Sequence, residues 1–150
     1  MIERSARIPD ALDFVAEHPH VYLLARRPDG YPTGYAMLAR VRDGFVDFST
    51  YRASAKVKNL LRDGVAGILA LSDGPDGQVE LLAEGTVTML EEGSWTQTTG
   101  GLVGRSGQAG PNVPPDVADK VRDRHETGKR IVLRVNLFRA RFSSTFGTEQ

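Results

Sequence analysis

The stretch from His20 to Thr50 reads HVYLLARRPDGYPTGYAMLARVRDGFVDFST, three runs rich in apolar and aromatic residues separated by Pro28-Asp29-Gly30 and Arg42-Asp43-Gly44. Each Asp-Gly step supplies the positive-φ residue that a tight hairpin turn demands, and each lies between runs of strand length. The pattern therefore predicts a meander of three antiparallel strands: one from His20, one over YPTGYAMLARV and one over FVDFS.

Working outward, strands are predicted over Val65–Leu71, Val79–Leu90 and Arg130–Phe142. In the last, Ile131, Leu133 and Val135 alternate with Arg130, Val132 and Arg134. Ser72 to Gly77 is almost pure turn chemistry. Pro9, with Asp10 in its first turn and Ile8, Leu12 and Val15 as an apolar stripe, predicts a helix over residues 9–17 within an N-terminal segment 1–19. Ser54 is placed to cap a second helix that buries Val57, Leu60 and Leu61, and a third is expected from Pro115 to Glu126. The Gly/Pro-rich stretch 91–114 reads as a loop and 143–150 as a tail. The fold expected is mainly β, a six-stranded antiparallel barrel with a few short flanking helices, because closure hides the edges of such a sheet.

Composition narrows the class of partner. With 150 residues, 19 Lys+Arg against 19 Asp+Glu and no cysteine, the chain reads as one soluble domain spanning 1–150. It has no basic excess for nucleic acid or a membrane surface, no disulfide framework and no thiolate nucleophile. No secretory or membrane-spanning run is evident, and the expected address is the cytoplasm. The sequence contains neither a dinucleotide-binding glycine fingerprint nor a P-loop, and Ser106 is not in a nucleophile elbow. His18-Pro19-His20 is read as polar residues leaving a helix and entering a strand, and no metal site is expected.

Phe48 to Asp63, FSTYRASAKVKNLLRD, is different. It passes from a strand end through a small-residue loop into a helix, with Ser49, Thr50, Arg52, Ser54 and Lys56 inside eight positions. A helix N-terminus presents unbonded N–H groups and the positive end of the macrodipole to an anion, and a basic residue on the first turn adds a charge-assisted contact. Lys56 is the leading candidate for that contact. Lys56 and Lys58 lie roughly 200° apart around a helix, so Lys56 shares a face with Asn59 and Lys58 with Arg62. An ordinary capped amphipathic helix would satisfy the same residues, and residue chemistry alone leaves the two readings open.

The order of a Gly-Tyr-Pro strand, an Arg-Asp-Gly hairpin, FVDFST, the SAKVKNLLRD helix, ELLAEGTVTML and KRIVLRVNLFRARF resembles the flavin and deazaflavin oxidoreductase superfamily, the split β-barrels related to pyridoxamine phosphate oxidase. The resemblance covers His20–Leu90 and Lys129–Phe142, and Ser54-x-Lys56-x-x-Asn59-Leu60 is its most specific element. It implies that Lys56 binds the cofactor phosphate, that Ser49, Thr50 and Ser54 contact the cofactor nearby, and that Arg40 reaches the phosphate region. It also implies that Tyr35, Ala36, Met37 and Leu38 lie along the tricyclic ring, although Ala36-Met37 stands where the family often has proline-valine. The cofactor implied is the deazaflavin coenzyme F-420, with FMN as the alternative. Arg52, Lys58 and Arg62 would form a landing surface for the deazaflavin's anionic tail. The activity implied is hydride transfer to a small conjugated substrate, which needs no acid/base triad from the protein. Pyridoxamine phosphate oxidase activity itself is disfavoured, since the C-terminal part does not resemble that enzyme's substrate segment. A homodimer with cofactor sites at the subunit interface is expected. Non-catalytic binding of a flavin, a deazaflavin or haem is the competing reading, as is a dimerisation domain with a decayed pocket. The 91–114 loop, with Trp95, is expected to cover the substrate side.

Overall fold

A computed structural model of the chain describes residues 2–74, 77–90 and 129–144. The third predicted helix, the 91–114 loop and Trp95 lie outside them. In chain order the described elements are β1 (Ile2–Ser5), α1 (Ile8–Glu17), β2 (His20–Arg26), β3 (Pro32–Leu38), β4 (Arg40–Arg42), β5 (Phe45–Tyr51), α2 (Ala55–Asp63), β6 (Val65–Gly74), β7 (Gly77–Met89) and β8 (Arg130–Ser144). The described residues hold no helix long and apolar enough to cross a membrane.

All pairings are antiparallel, and the sheet runs β3-β2-β6-β7-β8-β5-β4, with β1 added to β8. The two ends of this path, β3 and β4, are separated in sequence by Ala39 alone. The sheet must therefore curl until its ends meet, which is how one predicted strand, YPTGYAMLARV, comes to serve both edges. The described strands number eight, not six. Ala39 breaks the second run, its N–H donating to the Pro19 carbonyl at 2.8 Å. β1 lies in the N-terminal segment ahead of the predicted helix, where no strand was expected, because four residues with mixed charge carry no alternation to announce one. β8 also continues to Ser144, into the segment read as a tail, since Ser143 and Ser144 pair with Glu3 and Ile2 on one side and with Glu80 and Val79 on the other.

The turns obey their chemistry. Asp43 (φ 54°) and Gly44 (φ 82°) are the two positive-φ residues of the hairpin closed by Arg42 and Phe45, as a type I′ turn requires. Alternation sorts the faces: Val21, Leu23, Val46, Phe48, Ile68, Ala70, Leu81, Ala83, Ile131, Leu133 and Val135 are buried in one core. α1 packs on β4 and β8, burying Ala11 and Val15, with the Phe14 ring edge-on to Phe142 at 5.3 Å. α2 packs on β2, β6 and β7 through Val57 and Leu60.

Ser54 caps α2, its hydroxyl accepting from the Val57 N–H at 3.3 Å, and Gly64 ends it in the left-handed region at φ 72° with its N–H on the Leu60 carbonyl. Ser54→Ala is expected to cost about 1 kcal/mol, read as a lowered midpoint in chemical denaturation with an unchanged denaturant slope.

Candidate functional site

β5 delivers its last residues directly to the cap of α2, the Ser54 N–H donating to the Tyr51 carbonyl at 3.2 Å. Lys56, on the first turn, points its Nζ to 3.5 Å from the Met37 Sδ and to 5.5 Å from the centre of the Tyr35 ring. It makes no ion pair with a described residue. Burial, and then the charge of Arg130, push the Lys56 ammonium below the ordinary lysine range, with Tyr35 acting in the opposite sense. A part-buried cation with a second cation beside it gains by meeting an anion.

Arg130, the first residue of β8, went unnoticed in the sequence, where only its alternation with Ile131 was visible. Antiparallel register sets it opposite Tyr51. Its Nε and Nη2 donate to the Ser49 hydroxyl and carbonyl at 3.1 and 3.0 Å, and its guanidinium lies 4.5 Å from the Tyr51 ring centre. Only strand pairing across 81 residues of chain could reveal this. Two residues back along β5, the fully buried Asp47 accepts two bonds from Arg134 at 2.8 Å each.

The other predicted residues divide. Thr50 is buried, and its Oγ1 has no hydrogen-bond partner among the described residues. Arg52 lies at the same junction, with its N–H on the Lys129 carbonyl and its Nη1 at 3.9 Å from the Met89 Sδ. The Ser54 hydroxyl is engaged as the helix cap. Asn59 is buried and committed at both ends, donating to the Tyr35 hydroxyl at 3.1 Å and accepting from Arg62 at 3.1 Å. It thereby fixes the ring against which Lys56 rests. Tyr35 and Met37 share the face of β3 that meets Lys56, whereas Ala36 and Leu38 pair with Tyr22 and His20 of β2 and share the opposite face with them. Arg40 stands on β4 opposite Asp47, and burial lowers the pKa of its guanidinium. Arg62 reaches the Arg26 carbonyl, Asp63 and the Asn59 side chain. A shallow concavity of about 300 Å³ lies elsewhere, between β2, β6 and β7, with Leu24, Arg26, Val65, Gly67 and Leu82 in its walls.

No family model and no curated protein matches the sequence. Solved structures do match. A conserved hypothetical protein of Mycobacterium tuberculosis aligns with a TM-score of 0.70 at 24% identity, covering 93% of this chain and 85% of its own. The heme storage protein HutZ of Vibrio cholerae aligns at 0.70 and 16%, covering 97% and 100%. A candidate pyridoxamine 5′-phosphate oxidase of Listeria innocua aligns at 0.66 and 15%, covering 92% and 98%. The chain has the pyridoxamine 5′-phosphate oxidase-like split-barrel fold. Split barrels of this likeness include FAD-binding proteins of Mesorhizobium loti and Mycobacterium smegmatis, each at TM-score 0.66. The fold thus hosts flavin and heme proteins, and at these identities the choice of ligand in this split barrel rests on its own residues.

Proposed function

We propose that the chain is an oxidoreductase of the flavin or deazaflavin type, binding a phosphate-bearing tricyclic cofactor, coenzyme F-420 or FMN, at the junction of β5 and α2. The observation that carries this reading is Lys56: a part-buried ammonium on the first turn of a capped helix, without an ion pair among the described residues, next to a second cation. The buried Thr50 hydroxyl at the same strand end, unpartnered among the described residues, is a further polar group that a ligand would satisfy. A bound cofactor of this type supplies hydride transfer. The chain's own contribution is to seat the phosphate with Lys56, to hold Tyr35 in place through Asn59, and to offer Met37 as an apolar surface beside it. The expected homodimer belongs to the same reading, and the exposed Tyr22 on the outer face of β2 supports it.

Lys56→Ala is expected to weaken FMN or F-420 binding about ten- to hundredfold, the range for a lost charge-assisted bond, as read by cofactor fluorescence. Lys56 must be protonated to attract an anion and its pKa is lowered, so affinity in the intact chain falls with rising pH earlier than an ordinary lysine would allow. The Lys56→Ala chain lacks that limb. Full affinity of the variant, or no binding of either cofactor by the intact protein, would overturn the proposal.

The fold shared with HutZ motivates one other reading, heme binding. Of the described histidines, His18 stacks on Phe14 of α1 and His20 begins β2, so neither joins Lys56 at the junction. A Soret band on heme addition, retained in Lys56→Ala, would favour the heme reading over the flavin one.

A further inference from the structure

The chain has no cysteine and three methionines, so thioethers are the only sulfur that it offers to an oxidant. One of them lies inside the candidate site. Met37 is half-buried against the core, on the face of β3 that it shares with Tyr35, and its Sδ is 3.5 Å from the Lys56 Nζ. It keeps part of its surface in solvent and lines a shallow concavity of about 270 Å³ with His20, Tyr22 and Leu38, so a solute as small as a hydroperoxide reaches it. The partnership with Lys56 is lopsided. A thioether is a weak acceptor and leaves the ammonium nearly unspent, and the Tyr35 ring, with its centre 5.5 Å away, adds only a cation–π contact. Lys56 is therefore available to an anion for as long as the sulfur beside it stays a thioether.

We infer that Met37 is an oxidative modification site whose sulfoxide captures Lys56. In the step, the Met37 sulfur attacks the terminal oxygen of a hydroperoxide, an S–O bond forms as the O–O bond breaks, and the hydroxyl proton passes to the departing oxygen. The sulfur is oxidised by two electrons, and the hydroperoxide is reduced to an alcohol, or to water where the oxidant is hydrogen peroxide. The product sets a polar S=O oxygen in place of a weak acceptor, and a bond to it from an ammonium is charge-assisted. The flexible stems of lysine and methionine let the ammonium follow the new oxygen without a backbone movement. Met89 is the chain's own comparison, since it is 38% exposed and its Sδ lies 3.9 Å from a different cation, the Arg52 Nη1. The capture of Lys56 stands on this geometry alone. Its consequence, that oxidation closes the anion site, rests on reading Lys56 as the seat of the cofactor phosphate.

In the test the full chain is treated with hydrogen peroxide, and peptide mass spectrometry reads the added oxygen and the rates at which acetic anhydride acetylates Lys56 and Lys58. Met37 is expected to gain an oxygen, and Lys56 acetylation to slow severalfold while that of Lys58 holds. The Met37→Leu chain, treated in the same way, is expected to keep its untreated Lys56 rate, which separates Met37 from Met89. Methionine sulfoxide reductase should restore the rate in the parent. In FMN and F-420 titrations, oxidation is expected to weaken binding about tenfold, the scale of a charge-assisted bond, in the parent and not in Met37→Leu. Should the oxidised chain lose its melting transition, Met37→Gln, which sets a permanent amide oxygen beside Lys56, decides instead and is expected to show slowed acetylation without oxidant. An unoxidised Met37 in a chain whose Met89 is oxidised overturns the inference, as does an unchanged Lys56 rate in the folded Met37 sulfoxide or in Met37→Gln. Slowed acetylation with cofactor affinity unchanged overturns the closing of the site. Slowed acetylation in a chain that binds neither cofactor before treatment supports the capture and defeats the cofactor reading, so the two fail separately.

Discussion

Replacing Arg134 by methionine is expected to destabilise the chain by about 3–5 kcal/mol, the cost of leaving a buried charge without its partner. Asp47 has no exposed surface and takes both of its bonds from Arg134, which itself lies against the Phe45 ring with a centroid distance of 4.6 Å. Methionine keeps the apolar contact with Phe45 but leaves the carboxylate buried and unanswered. For a chain of this length the change corresponds to a fall in Tm of roughly 6–20 °C. The double variant Asp47→Leu/Arg134→Met is expected to recover most of the loss, because an apolar pair of similar volume dispenses with both desolvation penalties. A thermal double-mutant cycle checks this, and a single variant melting within a degree of the parent would show that Asp47 finds another partner. The pair bears on the site as well. Asp47–Arg134 and Ser49–Arg130 are successive links on one face of β5 and β8, so the first holds the register in which the second sets Arg130 against Tyr51.

What was legible in the sequence was what short-range chemistry encodes. Asp43-Gly44 forms the predicted hairpin, Ser54 caps α2 as expected, and the alternation of Ile131, Leu133 and Val135 puts those residues in the core. Lys56 could be singled out because helix-terminus electrostatics depends on near neighbours alone. What stayed hidden depends on pairing between distant segments. Nothing local marks Ala39 as the point where one strand leaves one edge of the sheet for the other. β1 is a strand because β8 offers it partners. Arg130 reads as a surface arginine until the register places it against Tyr51 and Ser49. Asn59 shares a helix face with Lys56 by spacing alone, but its contact with Tyr35 of β3 could not be read from the sequence.

Gly85 gives the other large expected effect. A Cβ at this position would sit 2.6 Å from the Asn136 carbonyl oxygen and 2.6 Å from a Val135 methyl, with the Asn136 carbonyl carbon at 2.9 Å. Two of these obstacles are backbone, so Gly85→Ala cannot be absorbed by a rotamer change, and a loss of about 3 kcal/mol is expected, at the upper end of overpacking costs. Gly67→Ala is the control, since its added Cβ meets Leu24 side-chain atoms no closer than 3.3 Å. If the two variants melt alike, the strands around Gly85 relax freely and the argument fails. The close approach occurs where the β7–β8 register shifts: Glu84 pairs with Arg139 but Gly85 with Leu137, so that Phe138 is the extra residue and stands exposed. A bulge of this kind keeps apolar residues on the core face along both halves of a long strand. Were the half of β8 before it to slip by one residue, side-chain alternation would turn Arg130 and Arg134 into the barrel and Ile131 and Leu133 out of it. Gly85, far from the junction of β5 and α2, is thus one of the residues that keeps Arg130 on the face where it meets Ser49.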